Sequence, residues 1–172
     1  DFIINDINLI FDKEKKVDAL ICNFDLQILL VNNAKNFYKN IYEILNKNGF
    51  FCFNLLTLNS FTTLQKIFLE IDINIFNGAQ IRFGPFHNIS NIISGLNDNK
   101  FKEVVVSTEN IEVNYKSLNK IRKDFKELGI SNYYKEKSRS NKNFYKKTTS
   151  LFKELVAKHD YIPVEIEIST FT

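Results

Sequence analysis

The sequence predicts an α/β fold, because two apolar runs flank one amphipathic segment near its start. Residues 17–23 form a short apolar run that ends in a polar residue, as a buried parallel strand does where its carboxyl end opens on a ligand crevice. Residues 34–45 carry apolar side chains at helical spacing, with Asn33 as a candidate cap and 47–49 as a stop before a second strand begins at Phe50. Such a crossover is right-handed almost without exception, so we expect parallel strands covered by helices.

The remaining elements follow from periodicity and turn signals. The predicted elements are a strand at 2–4, a loop or short helix at 5–16, a helix from a cap at Ser60 to about Asp72, a loop at 74–86, a helix from about 88 to 96, strand segments at 104–106 and 111–115, a helix at 118–128 ended by Gly129, a helix at 141–158 and an alternating strand at 162–168. The helices between the second and third confident strands predict a helical insertion or lid at 58–100.

Composition predicts a single domain spanning 1–172. With 44% hydrophobic residues and 17 Phe, the chain is rich enough in apolar side chains to build one core. No apolar run approaches the roughly 20 residues that a membrane span needs, and no signal peptide is recognisable, so we expect a cytoplasmic protein. The chain contains no Met. We therefore expect it to begin inside a longer protein.

The charge of the chain bears on its possible partners, and its cysteines bear on a possible metal site or disulfide. The net charge of +3 comes from 23 basic and 20 acidic residues, too small an excess to argue for nucleic acid. Basic residues are densest at 135–147, with aromatic residues between them; a solvated face, an acidic protein partner and nucleic acid are all compatible with this pattern. Cys22 and Cys52 lie in predicted strands, which favours small apolar core residues over a metal site or a disulfide.

Familiar motifs of catalysis and phosphate binding are absent. The sequence has no GxGxxG, GxxxxGK[ST], GxSxG or HExxH pattern. His87, beside the turn at 84–86, either lines a site or is structural, and His159 is interpreted as structural. We therefore predict no catalytic acid or base and no metal site.

Polar residues follow the first confident strand, where open α/β sheets bind ligands. Asn23 and Gln27 can hydrogen-bond a polar ligand, and Asp25 can accept a hydrogen bond from an ammonium or hydroxyl group. The alternative interpretation is a polar loop between strand and helix.

Three segments resemble the middle of class I S-adenosylmethionine-dependent methyltransferases. They are 17–27, 31–34 and 44–50, which in that family read approximately FDL(I/V)xSNLxLxW, VNDLxxAL and xLKPxGxF. Residues 59–64 are similar to the GSLxEL or GDTLxEL stretch of two groups within it. These are the malonyl-acyl-carrier-protein methyltransferase of biotin synthesis and the methyltransferase-like assembly factor of respiratory complex I.

The second half of the chain resembles the assembly factor more closely. Residues 83–86 are similar to its ISPF turn, and 108–115 and 128–132 to its DEIxVNY and MGESN segments. Residues 162–166 resemble the strand with which both groups end. The resemblance covers nearly the whole chain, and its specific part lies between 113 and 132.

The sequence also departs from the family. The glycine-rich turn and the acidic residue that hold the methionine and ribose parts of the cofactor have no counterpart and would precede Asp1. The usual Trp is replaced near 28–30, and the proline of the third segment is Lys47 or Asn48. The resemblance therefore implies a Rossmann-like methyltransferase sheet whose N-terminal cofactor-binding part is missing.

The resemblance implies S-adenosylmethionine as cofactor. The implied cofactor contacts are Asn5, Asp6, Asn23 and Phe24. Residues assigned to the substrate side are Gln27, Phe86, Tyr115 and Arg122. A guanidinium can bind a carboxylate through two hydrogen bonds, which makes Arg122 suited to a malonyl group, although an exposed helix arginine is the alternative.

The implied reaction is methyl transfer to a small carboxylate on a carrier or to a protein substrate. The partner would then be an acyl carrier protein or the protein substrate itself. Because the assembly-factor relatives are associated with arginine hydroxylation, the alternative is a non-catalytic or hydroxylase-type assembly factor for a respiratory complex I subunit. An intact glycine-rich loop upstream of Asp1 would favour the enzyme.

Overall fold

The computed structural model describes residues 16–24, 26–84, 86–127 and 138–172, with backbone alone at 28–29 and 31–35. The elements are β1 Val17–Asn23, α1 Leu26–Ile44, β2 Leu45–Leu56, α2 Thr62–Phe76, α3 Ile89–Asp98, β3 Val106–Tyr115, α4 Leu118–Glu127, α5 Lys142–His159 and β4 Ile162–Phe171. The strands form an open sheet in the order β1-β2-β4-β3. The predicted α/β class is confirmed, whereas the predicted strand at 2–4 and the stop at Gly129 lie outside the described residues.

The predicted βαβ unit is present. Strands β1 and β2 are parallel, with Leu20 opposite Phe51 and Asn23 opposite Asn54. Strand β4 runs antiparallel to β2. Because α1 joins two parallel neighbours, both strands end at the same edge of the sheet.

Helix α1 begins earlier than the sequence predicted. It starts at Leu26, so Asn33 lies inside it and does not cap it. Leu26, Leu30 and Phe37 are all buried and lie on one helical face. Burial of Leu26 and Leu30 favours a helix that begins closer to β1, and Gln27 consequently lies in its first turn and not in a loop.

The predicted stop at 47–49 is wrong, because β2 already begins at Leu45. The strand accommodates an irregularity here: Asn48 has a φ of 66°, and the register with β1 shifts. A Cβ on Gly49 would lie 3.0 Å from the carbonyl oxygen of Asp18. Glycine therefore permits the close approach of the two strands.

Other elements extend the predictions by a few residues. Helix α3 begins after Asn88, whose side chain accepts a hydrogen bond from the Ser90 N–H at 2.8 Å. Helix α5 begins after Asn141, which accepts from the Phe144 N–H at 2.8 Å. Both predicted helices are confirmed, and an Asn side chain caps the start of each. The two predicted strand segments at 104–115 form the single strand β3.

The chain divides into two compact units. The first comprises Asp1–Thr57, His87–Glu109 and Ile168–Thr172, and the second comprises Leu58–Phe86 and Asn110–Glu167. In the first unit, stacked rings form the centre of the core: the centroids of Phe51 and Phe53 are 4.6 Å apart, and those of Phe53 and Phe171 are 4.8 Å apart. These rings pack with buried side chains of α1 and α3.

Helices cover one face of the β1–β2 pair. Leu20 and Cys22 pack against the core on that face. On the other face Ile21 is 72% exposed and Phe50 is 53% exposed. The prediction that helices cover the sheet therefore holds for one face of the described structure. Cys22 and Cys52 are half-buried, and neither forms a disulfide.

The second unit is organised by the turn that precedes α2. Phe61 is fully buried, adopts a φ of 59°, and donates its N–H to the carbonyl oxygen of Glu165 at 2.6 Å. The prediction that Ser60 caps the helix is wrong: its hydroxyl hydrogen-bonds the backbone of Glu167 instead. Thr63 of the first turn donates its N–H to the Glu165 carboxylate at 3.0 Å.

A buried ion pair lies at the end of α2. Asp72 is completely buried, and its carboxylate accepts two hydrogen bonds from the guanidinium of Arg82. The Arg82 Cζ lies 4.0 Å from the centroid of the Phe144 ring and 5.9 Å from that of Phe76. The aromatic rings thus enclose a charge that Asp72 neutralises.

We expect Arg82→Met to lower the free energy of unfolding by about 3–5 kcal/mol, because it leaves a buried carboxylate unpaired. The matched control is Lys116→Met, which removes the exposed pair between Lys116 and Asp160 and should cost at most about 1 kcal/mol. Urea denaturation of both variants measures the difference. Equal losses would contradict the assigned role of the buried pair.

Candidate functional site

The carboxyl ends of β1 and β2 form the candidate site. Asn23 ends β1 and lies opposite Asn54 of β2. The next residue, Phe24, has a φ of 58° and donates its N–H to the Asn54 side-chain oxygen at 2.9 Å. This hydrogen bond holds the backbone where it turns from β1 toward α1, and it leaves the Phe24 ring 39% exposed.

His87 joins the same edge of the first unit. It forms a parallel bridge with Thr57, which follows β2 and is buried. The His87 Nε2 lies 3.3 Å from the backbone oxygen of Gln27, a distance at which an Nε2–H can donate to that carbonyl. Burial lowers the pKa of His87, and the hydrogen bond to Gln27 partly opposes this shift. The His87 imidazole is therefore neutral at neutral pH.

A cavity of ≈ 370 Å³ lies beside His87 within this unit. Its lining residues are Leu30, Tyr38, His87, Asn91, Ile92, Gly95, Asp98 and Asn99. The described lining contains one carboxylate and no Lys or Arg, so a free carboxylate ligand would find no counter-ion there. Tyr38 is buried, which raises the pKa of its hydroxyl, and it hydrogen-bonds no residue in the described ranges.

Glycine shapes one wall of the cavity. A Cβ on Gly95 would lie 2.6 Å from the Tyr38 ring. Glycine therefore allows α3 to approach α1 closely. The wall combines an aromatic ring with the amide side chains of Asn91 and Asn99.

The structure brings together only part of the predicted site. Asn23, Phe24 and Gln27 lie together at the strand edge in the first unit. Asn5 and Asp6 lie outside the described residues, as does Asp25. The second unit contains Phe86, Tyr115 and Arg122.

The three residues of the second unit have other contacts. The Phe86 ring meets Phe61 edge to face, with centroids 5.5 Å apart. Tyr115 is buried and donates its hydroxyl to Asp124 at 3.0 Å; burial, together with Asp124, raises its pKa to about 12. Arg122 is exposed, with its Cζ 5.4 Å from the centroid of the Tyr145 ring. Their assignment to the substrate side stays a prediction.

Sequence reasoning missed Asn54 and left His87 open. The signal for Asn54 was available, because it ends the second predicted strand as Asn23 ends the first. Parallel pairing makes such residues neighbours. Thr57 and His87 are 30 positions apart along the chain, and no local pattern indicates their bridge.

Two features are absent from the described ranges. No group of three or more His, Cys, Asp and Glu residues there is placed to hold a metal ion. No described helix is both long and apolar enough to cross a bilayer.

Two relatives align with nearly the whole chain. The sequence is 24% identical over 159 residues to "Arginine-hydroxylase NDUFAF5, mitochondrial" of Dictyostelium discoideum, covering 91% of this chain and 36% of the relative. It is 28% identical over 154 residues to "Putative methyltransferase RP459" of Rickettsia prowazekii (strain Madrid E), covering 90% of this chain and 66% of the relative. The predicted resemblance to methyltransferase-like proteins is confirmed. The chain spans less than two thirds of the length of each relative, and no family model matches it.

Likenesses to solved structures are remote. A Haemonchus contortus phospholethanolamine N-methyltransferase 2, in complex with phosphomonomethylethanolamine and S-adenosylhomocysteine, has a TM-score of 0.40 and 13% identity, covering 90% of this chain and 33% of that one. The cyclopropane synthase MmaA2 from Mycobacterium tuberculosis has a TM-score of 0.36 and 11% identity, covering 92% of this chain and 56% of that one.

The lowered pKa of His87 predicts a pH-dependent stability. Between the folded-state pKa and the ordinary value of 6.5, the unfolded state binds more protons. The free energy of unfolding should therefore fall as the pH decreases from about 6.5 toward the folded-state pKa, and His87→Gln should reduce this fall. Urea denaturation at about pH 7.5 and 5.5 measures it.

The control for this experiment is His159→Gln. His159 is the other histidine of the chain and is exposed at the last residue of α5. If His87→Gln and the wild type lose the same stability on acidification, burial of His87 does not explain the dependence.

Proposed function

We propose that this chain is part of an S-adenosylmethionine-dependent methyltransferase-like protein and that it supplies the strand-end contacts to the cofactor. One observation carries the proposal: Asn23 and Asn54 pair at the carboxyl edge of parallel strands, and Asn54 fixes the turn at Phe24. Ligands of open α/β sheets bind at such an edge. The alignment with two methyltransferase-like relatives over about nine tenths of the chain supports the same assignment.

The residues at this edge fit an uncharged heteroaromatic group. The Asn23 amide can both donate and accept hydrogen bonds, and the partly exposed Phe24 ring offers a face for stacking. Neither residue carries a charge, so the adenine part of the cofactor is the part they suit best. When bound, S-adenosylmethionine supplies an electrophilic methyl group on sulfur. The protein's contribution is then to position the acceptor for in-line transfer.

The acceptor would lie in the cavity beside His87. Its described lining offers amide, hydroxyl and imidazole groups but no Lys or Arg. A protein side chain without negative charge suits this lining better than a small carboxylate on a carrier, although both remain within the proposed substrate classes. The hydrogen bond to the Gln27 backbone would hold the neutral His87 ring in a fixed orientation in the wall of this cavity.

A second candidate function is a hydroxylase-type or non-catalytic assembly factor for respiratory complex I. The name of the Dictyostelium relative favours it, since that protein is called an arginine hydroxylase. Mass spectrometry of the modified acceptor separates an added methyl group from an added oxygen atom. A role in biotin synthesis and an acyl carrier protein partner remain proposals, and the cytoplasmic location stays a prediction; the Dictyostelium relative is named mitochondrial.

Calorimetric titration of the full-length protein with S-adenosylmethionine and S-adenosylhomocysteine tests the proposal. We expect Asn23→Ala to weaken binding by up to about tenfold, because losing one or two hydrogen bonds costs roughly 1 kcal/mol. The matched control is Asn46→Ala. Asn46 is an exposed amide of β2 near the opposite end of β1, where it donates to Asp18 at 2.8 Å.

The two variants distinguish a local site from a general effect. Asn46→Ala should bind both ligands as the wild type does. Failure of the folded wild type to bind either ligand would contradict the cofactor assignment and leave the non-catalytic assembly factor as the better proposal. Equal affinity of Asn23→Ala and the wild type would place the cofactor elsewhere.

A further inference from the structure

Helix α5 presents a stripe of three lysines. Lys142, Lys146 and Lys153 follow one another at intervals of four and seven residues, which places them on one side of the helix. All three are exposed. The buried residues of α5 include Phe144 and Thr148, whose positions lie on the opposite side. We name Lys142, Lys146 and Lys153 the lysine stripe.

No described acidic side chain neutralises the positive charges of the lysine stripe. None of its lysines forms an ion pair in the described parts of the chain. Within α5, no residue three or four positions from these lysines is acidic. Like charges four residues apart destabilise a helix slightly. The positive charges of these three lysines are therefore not offset by an ion pair in the described residues.

Three lysines on other helices form ion pairs with acidic residues. Lysines on α1 and α4 lie four residues before an acid and pair with it: Lys39 with Glu43 at 3.9 Å, Lys120 with Asp124 at 2.8 Å and Lys123 with Glu127 at 3.7 Å. Such pairs are the usual support for a solvated helix face. On α5, by contrast, three lysines without a described ion pair lie together on one side of the helix.

The surface around the lysine stripe is an open depression. A shallow cavity of ≈ 750 Å³ is lined by the three lysines together with Asn141, Tyr145, Thr149 and Ser150. Arg122 of α4 lies over the Tyr145 ring at 5.4 Å and adds a fourth positive charge beside it. The depression therefore combines positive charge with hydroxyl and amide groups that can hydrogen-bond carboxylates.

We propose that the lysine stripe docks an acidic helix of a partner protein. The first and last lysines of the stripe are 11 positions apart, or about 16 Å at 1.5 Å per residue, which matches about three turns of a partner helix. Carboxylates at intervals of four and seven residues on that helix would face the lysines. The proposal concerns a partner-binding surface and does not depend on the proposed methyl transfer.

The observations favour a protein over a nucleic acid. The whole chain has a net charge of only +3, whereas nucleic-acid-binding domains carry a larger basic excess. The exposed aromatic ring at the stripe, Tyr145, is already in contact with Arg122, which reduces its use for stacking on bases.

The test uses the full-length protein and a synthetic helical peptide that carries Glu at matching intervals of four and seven residues. Fluorescence anisotropy measures its binding at low and at physiological salt. Neutralising the stripe in K142Q/K146Q/K153Q should weaken binding at least about tenfold and flatten the salt dependence, because the attraction is electrostatic. Thermal unfolding should show an unchanged or slightly raised Tm, since like-charge repulsion is removed.

The matched control is K39Q/K120Q/K123Q. It removes the same number of positive charges from lysines that already have acidic partners, and it should weaken peptide binding less than about twofold. A peptide with the same composition and scrambled Glu positions should bind more weakly. Absence of peptide binding, equal loss in the control variant, or tighter binding of duplex DNA than of the peptide would each overturn the proposal.

Discussion

The parallel pairing of β1 and β2 is the constraint on which the candidate site depends. It places Asn23 opposite Asn54, so that the Asn54 side chain can accept the Phe24 N–H where the chain leaves β1. Helix α1 then begins with Leu26 buried, and His87 reaches the backbone of Gln27 in its first turn. A shift of the β1–β2 register by one residue would move the side chains of one strand to the other face of the sheet and would abolish this arrangement.

Much of the fold could be predicted because its signals are local. The amphipathic pattern predicts helices that begin near 88 and 141, and in the structure Asn88 and Asn141 cap them. The failures arise where distant contacts decide the structure. Phe61, and not Ser60, is the N-cap residue of α2, because its backbone is held by Glu165 and its ring is enclosed by Phe83, Phe86 and Phe125. Those partners lie 22 or more positions away along the chain, beyond any periodic pattern.

The candidate site likewise contains residues that local sequence signals predict and residues that only distant contacts bring to it. Asn23 and Phe24 could be predicted, since the end of a buried strand is where open α/β sheets bind ligands. The roles of Asn54 and His87 depend on strand register and on a bridge to Thr57, neither of which the local sequence specifies. Tyr115, which the sequence assigns to the substrate side, donates its hydroxyl to Asp124, a contact that its residue type does not indicate. A side chain's type indicates what it can bind, and its neighbours determine whether it is available.

Hydrogen exchange with mass spectrometry, with and without S-adenosylhomocysteine, tests the central claim most directly. If the ligand binds at the carboxyl edge of β1 and β2, amide exchange should slow in peptides that contain Phe24 and Asn54 in the full-length protein. Peptides of α5 should exchange at the same rate with and without the ligand. Binding without protection around Phe24 and Asn54 would contradict the account, because the cofactor would then lie away from the edge that these strands define.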